Sequence, residues 1–380
     1  MEFTISKESL GFGVGLVERI VSARSTLPVI GNILFEASKN GLKLSANNLE
    51  MGIEVLLNAK VSKEGSILIP AKTLGGVVSK LPSGDISFKL KEKGLININY
   101  KKSNFNIHGL PSDEFPQIAK VKETKAFSVE GKVLIEMIGQ TVFSASSTEE
   151  KHVLNGILIE TGKIPNESTT LRMVATDGYR LAKSGAKVEG ITGSSSVIVP
   201  SKAMVEVLKI FSQNPSSTAK VIIGADQISF KCDDIYLVSR LIPGQFPDYK
   251  QVIPKSTETK ITIDVASFLS AVERAAVIAA QSANIVKVEV KFNQLHIMAS
   301  APDVGSVDEV IEAEVKGKEK SFVAFNVRLI ADALKVIDSE KVLLELGEPL
   351  SPGLIKPSES KGNSEFVYVV MPIRTQEIAA

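Results

Sequence analysis

At 380 residues the chain exceeds one ordinary domain of roughly 150 residues, and 44% hydrophobic with 23% charged residues is the balance of a globular protein. Lys and Arg number 44 against 43 Asp and Glu, a net charge of +1, so any nucleic-acid role must rest on local charge segregation or on something other than bulk phosphate attraction. The single Cys232 excludes an internal disulfide, His108, His152 and His296 offer no zinc spacing beside it, and no apolar run approaches the roughly 20 residues of a membrane span.

Along the chain, Glu2, Lys7, Glu8 and Glu18 interrupt the apolar N-terminal residues, which argues against a signal peptide and for a cytoplasmic protein. Apolar residues at three- and four-residue spacing predict helices over Ser9 to Ile20, Val129 to Ala145 and Val265 to Ala280. A second set is expected over Ala71 to Lys80, Ser201 to Phe211 and Val327 to Ile337. Alternating segments such as Ile86 to Leu90, Ile96 to Tyr100 and Val286 to Val290 read as half-buried antiparallel strands. Turns are signalled at Lys39-Asn40-Gly41, Pro82 to Asp85 and Asp177-Gly178, the last as a type I′ hairpin turn. The polar stretch Ser351 to Ser364 reads as a surface loop, and Phe366 to Val370 as a core strand.

These elements recur. A small-residue marker closes a strand-like run at Leu44-Ser45-Ala46-Asn47, Met173-Val174-Ala175-Thr176 and Ile297-Met298-Ala299-Ser300, with the alanines 129 and 124 residues apart. An apolar run then leads into a helix at Ile69-Pro70-Ala71-Lys72, Val199-Pro200-Ser201-Lys202 and Phe325-Asn326-Val327. Leu110 to Pro116 and Leu241 to Pro247 also end alike, on Phe-Pro. A period this long is a whole domain triplicated, each copy an α+β unit of two helices and several strands. The expected limits are 1–125, 126–255 and 256–380, with linkers near Lys120 to Lys125 and Pro254 to Lys260.

No catalytic constellation stands out. Gly11-Phe12-Gly13-Val14-Gly15 lacks both the spacing and the preceding strand of a dinucleotide loop, and reads as close helix packing. Ser194-Ser195-Ser196 has no nucleophile elbow around it, and the adjacent pairs Glu149-Glu150 and Asp233-Asp234 point to opposite faces of any strand. Tyr179 and Arg180, beside the Asp177-Gly178 turn, project an amphipathic, bondable surface that the turn itself does not explain. Met371 and Ile373 close to the chain end could line a groove for a partner peptide.

Read together, Thr26 to Leu34, Leu154-Asn155-Gly156, Ala175 to Ala182, Phe246-Pro247-Asp248-Tyr249 and Tyr368 to Arg374 resemble the bacterial DNA polymerase III beta subunit, the sliding clamp, along nearly the whole chain. The resemblance implies a non-catalytic processivity subunit without a cofactor, ATP belonging to its loader. It implies a head-to-tail homodimer whose similar domains form a ring around duplex DNA, with helices lining the hole. A ring held by topology needs only weak phosphate contacts, which accounts for the small net charge. Arg24, Lys72, Lys80, Lys202 and Lys209 are then expected to face DNA. Closure needs two different complementary edges, for which Tyr100, Lys101, Lys102 and Phe105 are expected on one side and Val277, Ile278, Asp303, Asp308 and Glu309 on the other.

The resemblance further implies a pocket that receives short apolar motifs of the replicative polymerase, the clamp loader and other partners. On this chain it comprises Leu154, Thr176, Gly178, Tyr179, Arg180, Leu181, Pro247, Val252, Val369, Met371, Pro372, Ile373 and Arg374, with Asn326, Leu329, Leu350 and Pro352 as its second half. Three departures from the family pattern stand out: Thr375 to Ala380 extend past Arg374, His152-Val153 matches poorly where some relatives place aromatics against DNA, and Leu329 is apolar. Two other readings remain open at this point, a peptide-binding scaffold that never meets DNA and an enzyme centred on Asp177, Tyr179 and Arg180.

Overall fold

Helices begin where strands stop, several of them at a capping side chain or a proline that ends the strand. Ser6 accepts from the Ser9 N–H ahead of α1 (Lys7–Val17), and Pro70 leads into α2 (Ala71–Lys80). Next come α3 (Gly131–Thr141) and α4 (Ser201–Gln213), the latter again following a proline, Pro200. Asp264 caps α5 (Val265–Ala279) and Asn326 caps α6 (Val327–Leu334), each through its side-chain oxygen. The computed structural model describes residues 1–22, 27–122, 125–148, 152–163, 169–191, 193–318, 322–359 and 364–375.

Two compact units result, 1–131 with 209–241, and 132–208 with 242–380. In the first unit one antiparallel sheet has the order Lys60–Lys63, Glu2–Ser6, Asp85–Leu90, Leu95–Tyr100, Ser103–His108. A second runs Lys125–Glu130, Thr218–Ile223, Gln227–Cys232, Ile235–Arg240, Met51–Leu57, Gly41–Asn47, Asn32–Ser38, Gly65–Pro70. Phe3 and Phe88 stack across the first sheet at 4.8 Å, and Phe35 of the second lies 6.0 Å from Phe88, so aromatic rings form the core between the sheets. Above them α1 comes close: a Cβ on Gly13 would sit 2.6 Å from Leu57 Cδ1, so this glycine of the Gly11–Gly15 run is there for packing. Cys232 is buried in this unit, and burial holds its thiol above the ordinary pKa.

The second unit contains the sheet Ser195–Pro200, Gly156–Thr161, Leu171–Thr176, Arg180–Ala186, Ser364–Val370, Gly353–Pro357, Lys341–Leu346, Thr259–Asp264, Glu314–Gly317. A smaller one has the order Gly305–Glu312, Gln294–Ala301, Ile285–Lys291, Phe322–Asn326. The apolar faces of α5 and α6, including Phe268, Val272 and Ile330, pack with Phe325 and Tyr368 into one core.

The two long sheets are built on one plan. In each, the third strand after the opening turn pairs with the last strand of the following repeat: Leu237 opposite Ile53, and Leu181 opposite Val369. Registers correspond residue by residue, with Leu34 opposite Ser45 and Glu36 opposite Lys43 in one, Leu158 opposite Val174 and Glu160 opposite Arg172 in the other.

Two expectations need correction. Ser351 to Ser364 is not all loop: Gly353–Pro357 is a strand between Lys341–Leu346 and Ser364–Val370, with Leu354 and Ile355 fully buried. Two apolar residues among Ser, Pro and Lys gave too short a pattern to signal it. The Asp177-Gly178 turn is also not type I′, since only Gly178 has a positive φ, 94°, and three residues separate the strands. The Asp177 carboxylate accepts from the Tyr179 and Arg180 N–H groups and so holds the longer turn. Among the described residues no helix is long and apolar enough to cross a membrane.

Ser45 is only 2% exposed and its hydroxyl has no hydrogen-bond partner among the described residues, whereas Val174 stands at the same register position of the other sheet. Ser45→Val is expected to stabilise the first unit by about 1 kcal/mol, since an unsatisfied buried hydroxyl is removed. A rise in the urea midpoint checks it, and a fall would show that the hydroxyl is satisfied in the folded protein.

Candidate functional site

The hairpin Thr176 to Arg180 is the centre of the candidate site. Thr176 Oγ1 donates to the Arg180 carbonyl at 2.6 Å and accepts from the Gly178 N–H, so the turn is braced on both sides. The chain end runs beside it. The Met371 N–H donates to the Tyr179 carbonyl at 2.9 Å, and the Ile373 N–H to the Ala324 carbonyl at 2.8 Å. The segment after the last strand is thereby stretched from the hairpin to the strand that leads into α6. Met371, Pro372 and Ile373 are half-buried, while Arg374 and Tyr179 are exposed.

Beneath the hairpin, Leu181 and Val369 pack with Leu158, Phe246 and Tyr249, and Leu154 rests against the same cluster. Pro247 follows the buried Phe246 at the surface, and Val252, 40% exposed, closes the turn begun at Tyr249. On the other side Asn326 caps α6, and Leu329 is half-buried against the core and offers its carbonyl to the Tyr368 hydroxyl at 2.8 Å. Leu350 is exposed, and Pro352 immediately precedes Gly353, which lies opposite Val370. The structure thus gathers the expected pocket residues around the hairpin and the chain end. Residues 376–380 of the extension lie outside the described residues.

Arg180 is placed differently from the projecting side chain its sequence position suggested. Its guanidinium donates to Asp177 at 3.0 Å and to Asp332 at 2.7 Å, and lies 5.4 Å from the Phe143 ring. Burial opposes the charge, but the Asp332 and Asp177 carboxylates outweigh it and hold the pKa above the ordinary arginine value. Tyr368 below it, stacked on Phe143, has its phenol pushed well above the usual range by burial. Asp332, Phe143 and Tyr368 are supporting residues that sequence reasoning missed. The Arg180–Asp332 contact spans 152 residues, and no local pattern encodes it.

The other expected residues occupy separate surfaces. Lys72 and Lys80 are exposed on α2, and Lys202 and Lys209 are exposed on α4, seven residues apart and so on one helix face. Arg24 lies outside the described residues. Lys101 and Lys102 form the turn before Ser103–His108, an edge strand that carries the half-buried Phe105. In the second unit Gly305–Glu312 is likewise an edge strand, eight residues long, next to the exposed Asp303. Asp308 is 3.2 Å from His296 Nδ1, and Glu309 accepts from Arg274 Nε at 2.8 Å and Nη2 at 2.6 Å, which engages it within its own chain. Val277 is 69% exposed, whereas Ile278 packs partly on its own core. Among the described residues no group of three or more His, Cys, Asp or Glu side chains could hold a metal ion.

Three family profiles match the chain in order: the N-terminal domain of the DNA polymerase III beta subunit over residues 1–119, the central domain over 128–248 and the C-terminal domain over 250–374. The beta sliding clamp of Synechocystis is 33% identical over 397 aligned positions, covering 98% of this chain and 99% of that protein. That of Staphylococcus aureus is 30% identical, covering 99% and 100%. Among solved structures, the sliding clamp of Bacillus subtilis superposes with a TM-score of 0.91 at 29% identity, covering 99% of each chain. The clamp of Pseudomonas aeruginosa bound to griselimycin gives 0.91 at 28%, covering 99% and 100%.

If the Arg180–Asp332 pair fixes the hairpin, the single variants Arg180→Ala and Asp332→Ala should each destabilise, and the double variant by less than their sum. A coupling energy of about 1–2 kcal/mol is expected from a double-mutant cycle in urea. Additive effects would show the pair to be incidental.

Proposed function

Because the chain belongs to the DNA polymerase III beta subunit family, the sliding clamps, we propose that its pocket around the Thr176–Arg180 hairpin tethers polymerases to a ring closed on duplex DNA. The protein is a replication processivity factor and not a catalyst. Encirclement holds it on DNA without tight phosphate contacts, so it slides. A polymerase bound to it rebinds from a high local concentration instead of leaving. Its expected place is the cytoplasm, with domain limits at 1–125, 126–255 and 256–380.

One observation above all supports the pocket: the hydrogen bonds from Met371 and Ile373 that stretch the chain end between the hairpin and Ala324. They hold Met371, Pro372 and Ile373, all half-buried, between the hairpin and Ala324, while Leu181 and Val369 of the adjoining strands are buried in the cluster that Leu154 packs against. A short apolar motif with a donor or acceptor at one end has what it needs there. Ring closure is supported by two unpaired sheet edges, Ser103–His108 and Gly305–Glu312, of the kind that single chains usually blunt or cover. Two copies pairing these edges head to tail would close, with Lys101 and Lys102 near Asp303 and Asp308, and Phe105 near Val277 and Ile278. Lys72, Lys80, Lys202 and Lys209, on exposed helix faces, would meet the DNA backbone.

The decisive measurement is retention on nicked circular DNA after loading, compared before and after the circle is cut. Loss on cutting is expected, and equal retention on circle and linear DNA would sink the ring reading. In the same assay Met371→Ala should stay on circles while polymerase stimulation falls about tenfold, the size of a contact hot spot. Undiminished stimulation would remove Met371 from the pocket.

A further inference from the structure

The shared plan of the two long sheets exposes a site in the first unit that the clamp reading does not use. In the second unit Tyr249 is 5% exposed, its ring packed with Leu158, Val174, Leu181 and Phe246, and its hydroxyl donates to Glu160 Oε2 at 2.7 Å. The register pairs place Leu34, Glu36, Lys43 and Ser45 where Leu158, Glu160, Arg172 and Val174 stand. Likewise Gly52 stands where Leu181 does, and Phe115-Pro116-Gln117-Ile118 where Phe246-Pro247-Asp248-Tyr249 does. Leu34, Glu36 and Phe115 thus repeat the leucine, carboxylate and phenylalanine around the tyrosine, while Ser45, Gly52 and Ile118 replace Val174, Leu181 and the tyrosine itself.

Ile118 takes the tyrosine's place in sequence but not in space. Its Cγ atoms lie 3.0 Å from where a Gly52 Cβ would be, so it fills the volume that Leu181 fills in the other sheet. A groove of about 370 Å³ remains open, with Leu34, Phe115 and Ile118 as its apolar lining and Glu36, Ser45 and Glu54 among its polar groups. Glu36 is held by Lys43 at 2.7 Å, as Glu160 has Arg172 at 3.6 Å. Ser45 lines the same groove, is 2% exposed, and its hydroxyl has no hydrogen-bond partner among the described residues.

We propose that this groove is a binding slot for a tyrosine side chain presented by a partner protein, the ring against Leu34, Phe115 and Ile118 and the phenol donating to Glu36. The rest of the lining is polar, so an aromatic body with one polar tip is matched to this apolar wall and to the Glu36 carboxylate beside it, and a carboxylate acceptor strengthens the hydrogen bond. The chain's own tyrosines are engaged elsewhere. Tyr100 donates to the Ser83 carbonyl, Tyr236 to the Ala119 carbonyl, Tyr249 to Glu160 and Tyr368 to the Leu329 carbonyl, while Tyr179 stands at the hairpin of the polymerase pocket. Tyr100 and Tyr236 are the tyrosines of the first unit, so the ring must come from outside that unit.

The test is methyl NMR on the full-length protein, with the Leu34 methyl groups as reporters, titrated with acetyl-Gly-Tyr-Gly-amide, acetyl-Gly-Phe-Gly-amide and p-cresol. The tyrosine peptide should give a saturable shift, with the phenylalanine peptide at least about tenfold weaker. Ile118→Tyr, which places a ring in the slot, should abolish the response. Glu36→Ala, at a half-exposed strand position, should bring the tyrosine peptide to the level of the phenylalanine peptide while thermal unfolding is unchanged. No shift with the tyrosine peptide, equal response to both peptides, or an unaltered response in Glu36→Ala would overturn the proposal. Binding of p-cresol without either peptide would overturn the assignment to a partner's side chain.

Discussion

Everything at the candidate site depends on one strand pairing. Arg180–Ala186 is joined along its whole length by Ser364–Val370, residues far apart in sequence, so the last strand of the chain must end beside the turn that begins at Thr176. Antiparallel pairing then leaves the segment after Val370 no direction but across the hairpin, where Met371 and Ile373 find their backbone partners. Gly353–Pro357 adds to the other side of the same strand, which brings Pro352 to the site as well. The pocket is a consequence of register, because a slip of one residue would take Val369 from the cluster beneath the hairpin to the opposite face, where Tyr368 and Val370 pack on the other core.

Burial and charge then fix the hairpin. Arg180 could have been a mobile surface cation, but two carboxylates and an aromatic ring hold it in place. A guanidinium with two charged partners resists displacement more than a lysine would, because its planar fork loses little freedom on each hydrogen bond. The rigid turn presents Tyr179 outward on a support that does not have to be ordered when a partner arrives, which lowers the entropic cost of binding.

The same pairing in the first unit, Met51–Leu57 with Ile235–Arg240, shows how little must change for a repeated plan to diverge. The registers match, yet Ser45 stands for Val174, Gly52 for Leu181 and Ile118 for Tyr249. Exchanging the sizes of two neighbours moves the filled volume by one side chain and opens a groove beside it. Triplication supplied the frame, and substitutions at the inner positions decided which parts of it stay open.

The sequence by itself determined the threefold repeat, the helices and most of the strands, because each is written in local periodicity and in the strand-to-helix junctions at Pro70, Pro200 and Asn326. It also carried the family, through motifs spread from Thr26 to Arg374. Gly353–Pro357 escaped because two buried residues make no period, and the three-residue turn at Asp177 because an Asp-Gly pair also suits a tighter one. Only the tertiary structure decided that Arg180 is anchored to Asp332, that Glu309 is committed to Arg274, and that Ile118 leans on Gly52. The physical reason is separation: local pattern is set by neighbours a few residues away, while these contacts arise where strands and helices distant in sequence are packed together.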